Sequence, residues 1–163
     1  MRLLDLNSEL QWFLEGEEPR VWAVHVISPS TYDEERFKRL LRGMKQLNVG
    51  VIVCPTAAIS MRQLRPVKTP TWNSITRVLD LIEAEIPVAI GTDNIADVFV
   101  PEGDGDPRTE AKVLAHAIRF HDVPVMAKLL CGKRLNESER ERVARALHYD
   151  KEAWRRRDPG WSY

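Results

Sequence analysis

The stretch IPVAIGT, residues 86–92, decides the fold. It is a short apolar run that stops at Gly91-Thr92, and such a run between turn signals is typical of a strand buried on both faces. Two earlier runs have the same character, RVWAVHVI (20–27) and VGVIVCP (49–55). Three near-continuous apolar runs predict three strands inside a parallel sheet.

Segments with helical spacing of apolar residues alternate with these strands. Ser30 or Thr31 is the expected cap of the helix between the first two strands, and Asn136 is the expected cap of the last helix. The predicted helices fall in the ranges 3–15, 28–47, 71–85, 107–121, 124–132 and 136–150. Alternating strands and helices predict an α/β fold with right-handed crossovers.

Composition and charge favour a globular domain. The chain has 163 residues, of which 44% are hydrophobic and 29% are charged. Its 24 basic and 24 acidic residues cancel, and no apolar run approaches the length of a membrane span, so neither nucleic acid nor a membrane is expected as a partner. The two distant cysteines, Cys54 and Cys131, do not suggest a disulfide framework, which favours the cytoplasm.

Residues able to do chemistry gather where the predicted strands end. His25 lies near the end of the first strand, Cys54 near the end of the second, and Asp93 directly after the third. Functional groups collect at the carboxyl ends of parallel strands, so His25 and Asp93 are expected to face the same open edge. Imidazole and carboxylate are ligands for Zn²⁺, and a carboxylate can also accept a proton from a metal-bound water.

Each of these residues also has a structural interpretation. A histidine in an apolar strand is commonly a core residue, and an aspartate after Gly-Thr commonly caps a turn. Cys54 is interpreted as a small apolar filler. The acidic loop 102–107 lacks the spacing of a calcium loop and is interpreted as solvated. Surface or helix-end positions are expected for the other histidines, His116, His121 and His148.

Taken together, the three strand ends resemble the cytosine deaminase-like branch of the amidohydrolase superfamily. The resemblance lies in Ala23-Val24-His25, in Cys54-Pro55-Thr56 and in the run Ala89-Ile90-Gly91-Thr92-Asp93, which keep the family's order. It implies strands six to eight of a barrel. It also implies that Asp93 binds a catalytic metal and accepts a proton. His25 is implied to ligate the metal or orient the water, and Asn94 to lie on the substrate side.

Other parts of the family's pattern are missing. No two of the four histidines are two residues apart, so the His-x-His pair of the family's first strand is absent, as is its fifth-strand histidine. A full barrel has eight strands in about 250 residues, whereas three are predicted here. We therefore expect residues 1–150 to form the C-terminal portion of a barrel, a partial TIM-barrel-like (β/α) unit. A peripheral tail is expected at 151–163.

The resemblance implies a metal-dependent hydrolase of non-peptide carbon–nitrogen bonds, with a small cyclic or amide-like substrate. Two protein ligands do not close the coordination sphere of Zn²⁺ or Fe²⁺, so weak metal binding and an inactive isolated chain are expected. Open strand edges predict self-association or a complementing chain. The alternative is a small non-enzymatic α/β module that binds a partner or small ligand, although no glycine-rich nucleotide motif is present.

Overall fold

The computed structural model describes residues 18–60 and 75–157. The predicted helix at 3–15 and the beginning of the helix predicted at 71–85 lie outside these residues. The elements follow one another as β1 (Val21–Val24), a 3₁₀ turn (Ser28–Thr31), α1 (Glu34–Gln46), β2 (Val49–Val53), α2 (Pro55–Ser60), α3 (Val78–Glu83), β3 (Val88–Ile90), α4 (Pro107–Ala117), α5 (Val123–Leu130) and α6 (Glu137–Arg157). None of the helices described here has both the length and the apolar character needed to cross a membrane.

The strands form one parallel sheet in the order β1-β2-β3. Val21 of β1 lies opposite Val49 of β2, and Val51 of β2 lies opposite Val88 of β3. The α/β class, with three parallel strands and flanking helices, is therefore confirmed. Because both strand pairs are parallel, the carboxyl ends of all three strands lie along one edge.

The two faces of this sheet differ. One face carries the main core, formed by strand residues and by the helices that contact β2 and β3. Its most deeply buried side chains are Val51, Val78, Leu81, Leu114, Val125, Leu129 and Val143. On the other face a Cβ at Gly50 would lie 2.6 Å from the ring of Trp22, so glycine at this position leaves room for the indole. Edge strand β1 leaves Val24 53% exposed.

Two element boundaries differ from the sequence prediction. The cap of α1 is Asp33, whose carboxylate accepts the Arg36 N–H at 2.7 Å, while Ser30 and Thr31 lie in the 3₁₀ turn. Strand β2 ends at Val53, and Pro55 begins the short helix α2, which the sequence did not predict. Proline suits a first helical position because its φ is already helical and its missing N–H would have no partner there.

Helix α6 is longer than the predicted 136–150, and its last turns occupy 151–157, inside the segment predicted as a peripheral tail. Its beginning agrees with the prediction. The Asn136 side chain accepts the Glu139 N–H at 2.9 Å, and the Glu139 carboxylate accepts the Asn136 N–H at 2.8 Å. These reciprocal bonds form a capping box, which fixes where the helix starts.

Candidate metal centre

Three side chains meet at the carboxyl edge of the sheet. His25 follows β1 directly, Cys54 follows β2 directly, and Asp93 lies just beyond β3. Nε2 of His25 is 3.4 Å from Oδ2 of Asp93. One ligand atom from each of the three residues lies within 4.8 Å of the other two. We call this group the strand-end cluster; it places His25 and Asp93 together, as their strand positions suggested.

The backbone at these strand ends adopts conformations that non-glycine residues rarely take. Seven described non-glycine residues have a positive φ, and three of them end helices: Asn48, Glu85 and Arg119. The other four lie in the two segments that carry the cluster's histidine and aspartate: His25, Val26, Asp93 and Ala96. Such conformations cost about 1–3 kcal/mol each and collect at functional sites.

The position of His25 is fixed by its own backbone. Its N–H donates to the Ile52 carbonyl at 2.8 Å, and its carbonyl accepts the Thr76 hydroxyl. The Val26 N–H donates a hydrogen bond to the Val24 carbonyl at 2.9 Å, and this bond spans the single residue His25, whose φ is 68°. A bond over one residue with positive φ is a γ-turn of the rarer, strained kind. The turn ends β1 and sets the direction of the imidazole.

Two polar atoms at this edge have no hydrogen-bond partner among the described residues. They are Nδ1 of His25 and the hydroxyl oxygen of Thr56, and both are buried. Buried polar atoms are nearly always paired with protein or water, so an unpaired one needs a reason. Two of them beside one cluster indicate a place where a ligand, ion or water belongs.

Cys54 is 4% exposed, which agrees with the prediction that it fills apolar space. Its sulfur, however, faces His25 and Asp93, so that interpretation is incomplete. Burial, followed by the negative charges of Asp93 and Glu110, raises the pKa of the Cys54 thiol to about 11. Gly91 leaves room for Ile52 beside the sulfur, because a Cβ there would lie only 2.9 Å from Ile52, whereas its distance of 3.4 Å from Sγ would be an ordinary contact.

Glu110 of α4 is a further acidic residue at this edge, and the sequence interpretation missed it. It is 3% exposed, and its carboxylate accepts the Thr56 N–H at 2.8 Å, which satisfies an unpaired donor in the first turn of α2. Within the described residues no Lys or Arg nitrogen lies within 4.0 Å of the carboxylates of Glu110 or Asp93. A signal was available, since Glu110 shares the buried stripe of α4 with Ala111 and Leu114.

Asn94, predicted to face substrate, is held by a neighbouring loop residue. Its side-chain amide donates to the Asp97 carboxylate. Asp97 also accepts the N–H groups of Phe99 and Val100 at 2.9 Å each, and these bonds, that of Val100 foremost, lower the pKa of Asp97. The loop so formed exposes Ile95, Val98 and Phe99 next to the strand-end cluster in sequence. The substrate role of Asn94 stays a prediction.

The remaining candidates lie elsewhere. His116, His121 and His148 are exposed, as expected, and the rings of the first two meet edge to face at 5.2 Å. In the acidic loop Asp106 caps α4 by accepting the Arg108 N–H at 2.8 Å. A cavity of about 660 Å³ opens at the opposite edge of the sheet, beside Lys45 and the start of β3, and contains no member of the strand-end cluster.

The donor atoms of the strand-end cluster fit a divalent metal. Imidazole nitrogen, thiolate sulfur and carboxylate oxygen are the ligand types that Zn²⁺ takes in proteins. Two ligands of a tetrahedral zinc lie roughly 3.3–3.6 Å apart, and the His25–Asp93 separation of 3.4 Å agrees with that spacing. The sequence prediction named two donors, His25 and Asp93, and the structure places the Cys54 sulfur beside them.

A known protein resembles part of this chain. Over 105 residues this chain is 27% identical to that protein, which comes from Rhizobium rhizogenes strain K84 and is described as a pterin deaminase. The matched region is 64% of this chain and 23% of that protein, so the chain spans about a quarter of its relative's length. No family model and no solved structure matches the chain.

Proposed function

We propose that this chain carries the strand-end part of the active site of an amidohydrolase-type deaminase. The observation that carries the proposal is the 3.4 Å approach of His25 to Asp93 at the carboxyl edge of a parallel sheet. Similarity to a protein described as a pterin deaminase supports the same chemistry. In this proposal the three strands are part of a TIM-like barrel, with residues 1–150 as its C-terminal portion and 151–163 as a peripheral tail.

The proposed reaction replaces an amino group on a ring carbon by the oxygen of water, with release of ammonia. His25 and Asp93 would hold a divalent metal, Zn²⁺ or Fe²⁺, which would supply Lewis acidity to a water and to the carbon under attack. The Asp93 carboxylate accepts the proton of the attacking water and gives it to the departing nitrogen. His25 lies close enough to orient that water and to stabilise the charge that develops beside Asp93.

The proposed substrate is a small aminated heterocycle of the pterin or cytosine type. The relative's description suggests the pterin, and the loop after Asp93 offers a suitable surface. Phe99 is 75% exposed and Val98 is 85% exposed, and an apolar ring and side chain of this kind can cover the face of a flat heterocycle. Asn94, between Asp93 and these residues, is proposed to contact the ring's polar edge.

The rest of the barrel, with the family's His-x-His pair, is proposed to come from a complementing chain. The sequence has no His-x-His pair, and β1 is an edge strand whose exposed Val21 and Val24 suit contact with further strands. Self-association through the same edge is the competing use of this surface. The two uses of this edge differ in which assembly would release ammonia, the complex with a complementing chain or the self-associated chain.

Ammonia release from pterin and from cytosine tests the proposal. We expect none from the chain alone and turnover after mixing with a polypeptide that carries the remaining strands and a His-x-His pair. Asp93→Asn should then lower kcat by about 10²–10⁴-fold without changing assembly size in light scattering, because the two side chains are nearly equal in size. Asp150→Asn, an exposed change on α6, is the matched control. Full turnover by Asp93→Asn would refute the role of Asp93.

A further inference from the structure

We propose that Cys54 is a metal ligand, so that this chain by itself holds a His/Cys/Asp site with three protein donors. The inference rests on the proposed metal-dependent function and deepens it by naming a ligand that the resemblance does not supply. Three protein ligands with one open position is the usual arrangement of catalytic zinc. Such a site would bind metal without a complementing chain, whereas a His25–Asp93 pair would bind it weakly.

Geometry is the first support. The ligand atoms of His25, Cys54 and Asp93 lie within 4.8 Å of one another, and each residue sits at the end of a different strand. Three points held by one rigid sheet surround a common centre. The two ligand atoms that lie farthest apart have to approach by about 1 Å to reach the spacing of tetrahedral ligands. The His25 ring can take part in this movement, because its buried Nδ1 has no hydrogen bond to any other described group.

Charge is the second support. Asp93 and Glu110 both place negative charge near the Cys54 sulfur, and no described Lys or Arg nitrogen lies within 4.0 Å of either carboxylate. Glu110 is 3% exposed, and a buried carboxylate without a cation beside it is costly, while the more exposed Asp93 adds its negative charge near the same sulfur. A divalent cation between Asp93 and Cys54 would neutralise this charge and favour the thiolate form of the sulfur.

Rigidity is the third support. The Cys54 carbonyl accepts the Ala58 N–H at 3.0 Å, which ties the residue to α2. Glu110 of α4 holds the same turn through the Thr56 N–H at 2.8 Å. Glu110 is therefore assigned as a positioning residue, since it fixes the backbone next to the sulfur. Ligands held by such outer contacts bind metal more tightly than mobile ones.

Metal binding at this site exchanges one bond for another. The S–H bond of Cys54 breaks, its proton leaves to solvent, and a sulfur–metal bond forms. A thiolate is a soft ligand, so the site should prefer Zn²⁺, Co²⁺ or Cd²⁺ over Mg²⁺ or Mn²⁺. A site built of His25 and Asp93 without the sulfur would not show this preference to the same degree.

Titration of the full chain with Co²⁺ tests the assignment, because a cobalt–thiolate bond produces a charge-transfer band in the near ultraviolet. The exposed Cys131 is the other thiol of the chain, so the titration is also made on Cys131→Ser as the matched control. We expect the band to saturate at one equivalent in the wild type and in Cys131→Ser. In Cys54→Ser it should vanish, and Co²⁺ affinity should fall by at least about tenfold, the lower bound for lost supporting contacts.

A second measurement does not depend on Cys54→Ser folding. In Cys131→Ser the one remaining thiol is Cys54, and its rate of reaction with a disulfide reagent in mild urea should fall severalfold when Zn²⁺ is present. Co²⁺ binding without the band, or an unchanged thiol rate in a metal-loaded protein, would overturn the Cys54 ligand and leave the His25–Asp93 site standing. Absence of Co²⁺ binding would overturn it too. If the band is present but the chain mixed with the complementing polypeptide releases no ammonia, the result would instead count against the proposed deaminase.

Discussion

Glu110 and Glu139 are both buried glutamates in the first turn of a helix, yet their surroundings are opposite. Glu139, 6% exposed, accepts the Lys128 ammonium at 2.6 Å and the Asn136 N–H at 2.8 Å. These bonds, that of Lys128 foremost, lower the pKa of Glu139. Glu110, 3% exposed, accepts the Thr56 N–H, and no described Lys or Arg nitrogen lies within 4.0 Å of its carboxylate oxygens.

The difference separates a region built for stability from one built to receive a charge. Where α5 meets α6, Glu139 is paired with Lys128, and the Asp122 carboxylate is held by Arg142 at 2.5 Å. At the strand-end cluster the acids have no Lys or Arg partner within the described ranges, two polar atoms have no partner there either, and the backbone is strained. Unsatisfied charge and strain persist in a fold where binding or catalysis uses them.

The largest expected effect is stabilisation by Zn²⁺, because the strand-end cluster gains the cation that it lacks. At a free concentration of 100 times Kd, a ligand that binds only the folded state adds about 2.7 kcal/mol to the free energy of unfolding. We expect a gain of this order in urea denaturation of the wild type. His25→Asn should abolish it.

His148→Asn is the control for that experiment, since His148 is an exposed histidine on α6. Its gain from Zn²⁺ should equal that of the wild type. Equal gains in His25→Asn and His148→Asn would show that Zn²⁺ binds outside the strand-end cluster, and the contrast between the two regions would then have no functional meaning.

Gly91→Ala should give the next largest effect by crowding the strand-end cluster. The added Cβ would lie 2.9 Å from Ile52 Cγ2 and 3.4 Å from Cys54 Sγ. Overpacking against Ile52 costs about 1–3 kcal/mol of stability, and because Ile52 packs against Cys54, its shift should also reduce the gain from Zn²⁺. Urea unfolding with and without Zn²⁺ measures both losses.

Gly43→Ala provides the matched comparison, because a Cβ at Gly43 meets nothing within 4 Å. Gly43 lies inside α1, where alanine stabilises a helix by about 0.5–1 kcal/mol relative to glycine. The same substitution should therefore have opposite signs at the two positions. A destabilising Gly43→Ala, or a Gly91→Ala that leaves the gain from Zn²⁺ intact, would contradict this account.

Replacing each buried glutamate by glutamine tests the comparison directly. Glu139→Gln should destabilise the protein, since the Lys128 ammonium loses its charged partner. Glu110→Gln retains an oxygen for the Thr56 N–H and removes a negative charge near the Cys54 sulfur, so the metal-free protein should be as stable as the wild type or slightly more stable. Thermal unfolding of both variants without metal measures the signs. Equal destabilisation would mean that both glutamates serve the fold alone.

Much of this organisation could be predicted from the sequence, because it depends on local patterns. Alternating apolar runs and helical stripes located the three strands, and the position of His25 and Asp93 at strand ends brought them to one edge. The capping role of Asn136 could also be predicted from the sequence, since a capping box lies within four consecutive residues. Pro55 was misread as the end of a strand because proline is equally suited to begin a helix.

The rest depends on contacts that no local pattern contains. Glu110 meets Thr56 across 54 positions of sequence, so its role follows from the packing of α4 against α2. Cys54 looks like any small buried residue until the direction of its sulfur is known. The direction of the Asp93 side chain follows from a φ of 57°, which nothing in the run Gly91-Thr92-Asp93 requires.

The smallest expected effect is a change in acid sensitivity where α5 meets α6. The Arg142 guanidinium, which bonds both oxygens of Asp122, lowers the pKa of that carboxyl. Because the folded pKa lies below the unfolded value of about 3.9, the ion pair contributes stability above that pH and loses it as the pH falls through the folded pKa. Arg142→Gln should therefore reduce the drop in urea midpoint between neutral pH and pH values below about 4.

Arg145→Gln, on the same helix with a 3.9 Å contact to Glu141, should leave that drop unchanged. An identical drop in Arg142→Gln and the wild type would show that this pair does not stabilise the fold, and the region would then no longer serve as the satisfied counterpart of the strand-end cluster.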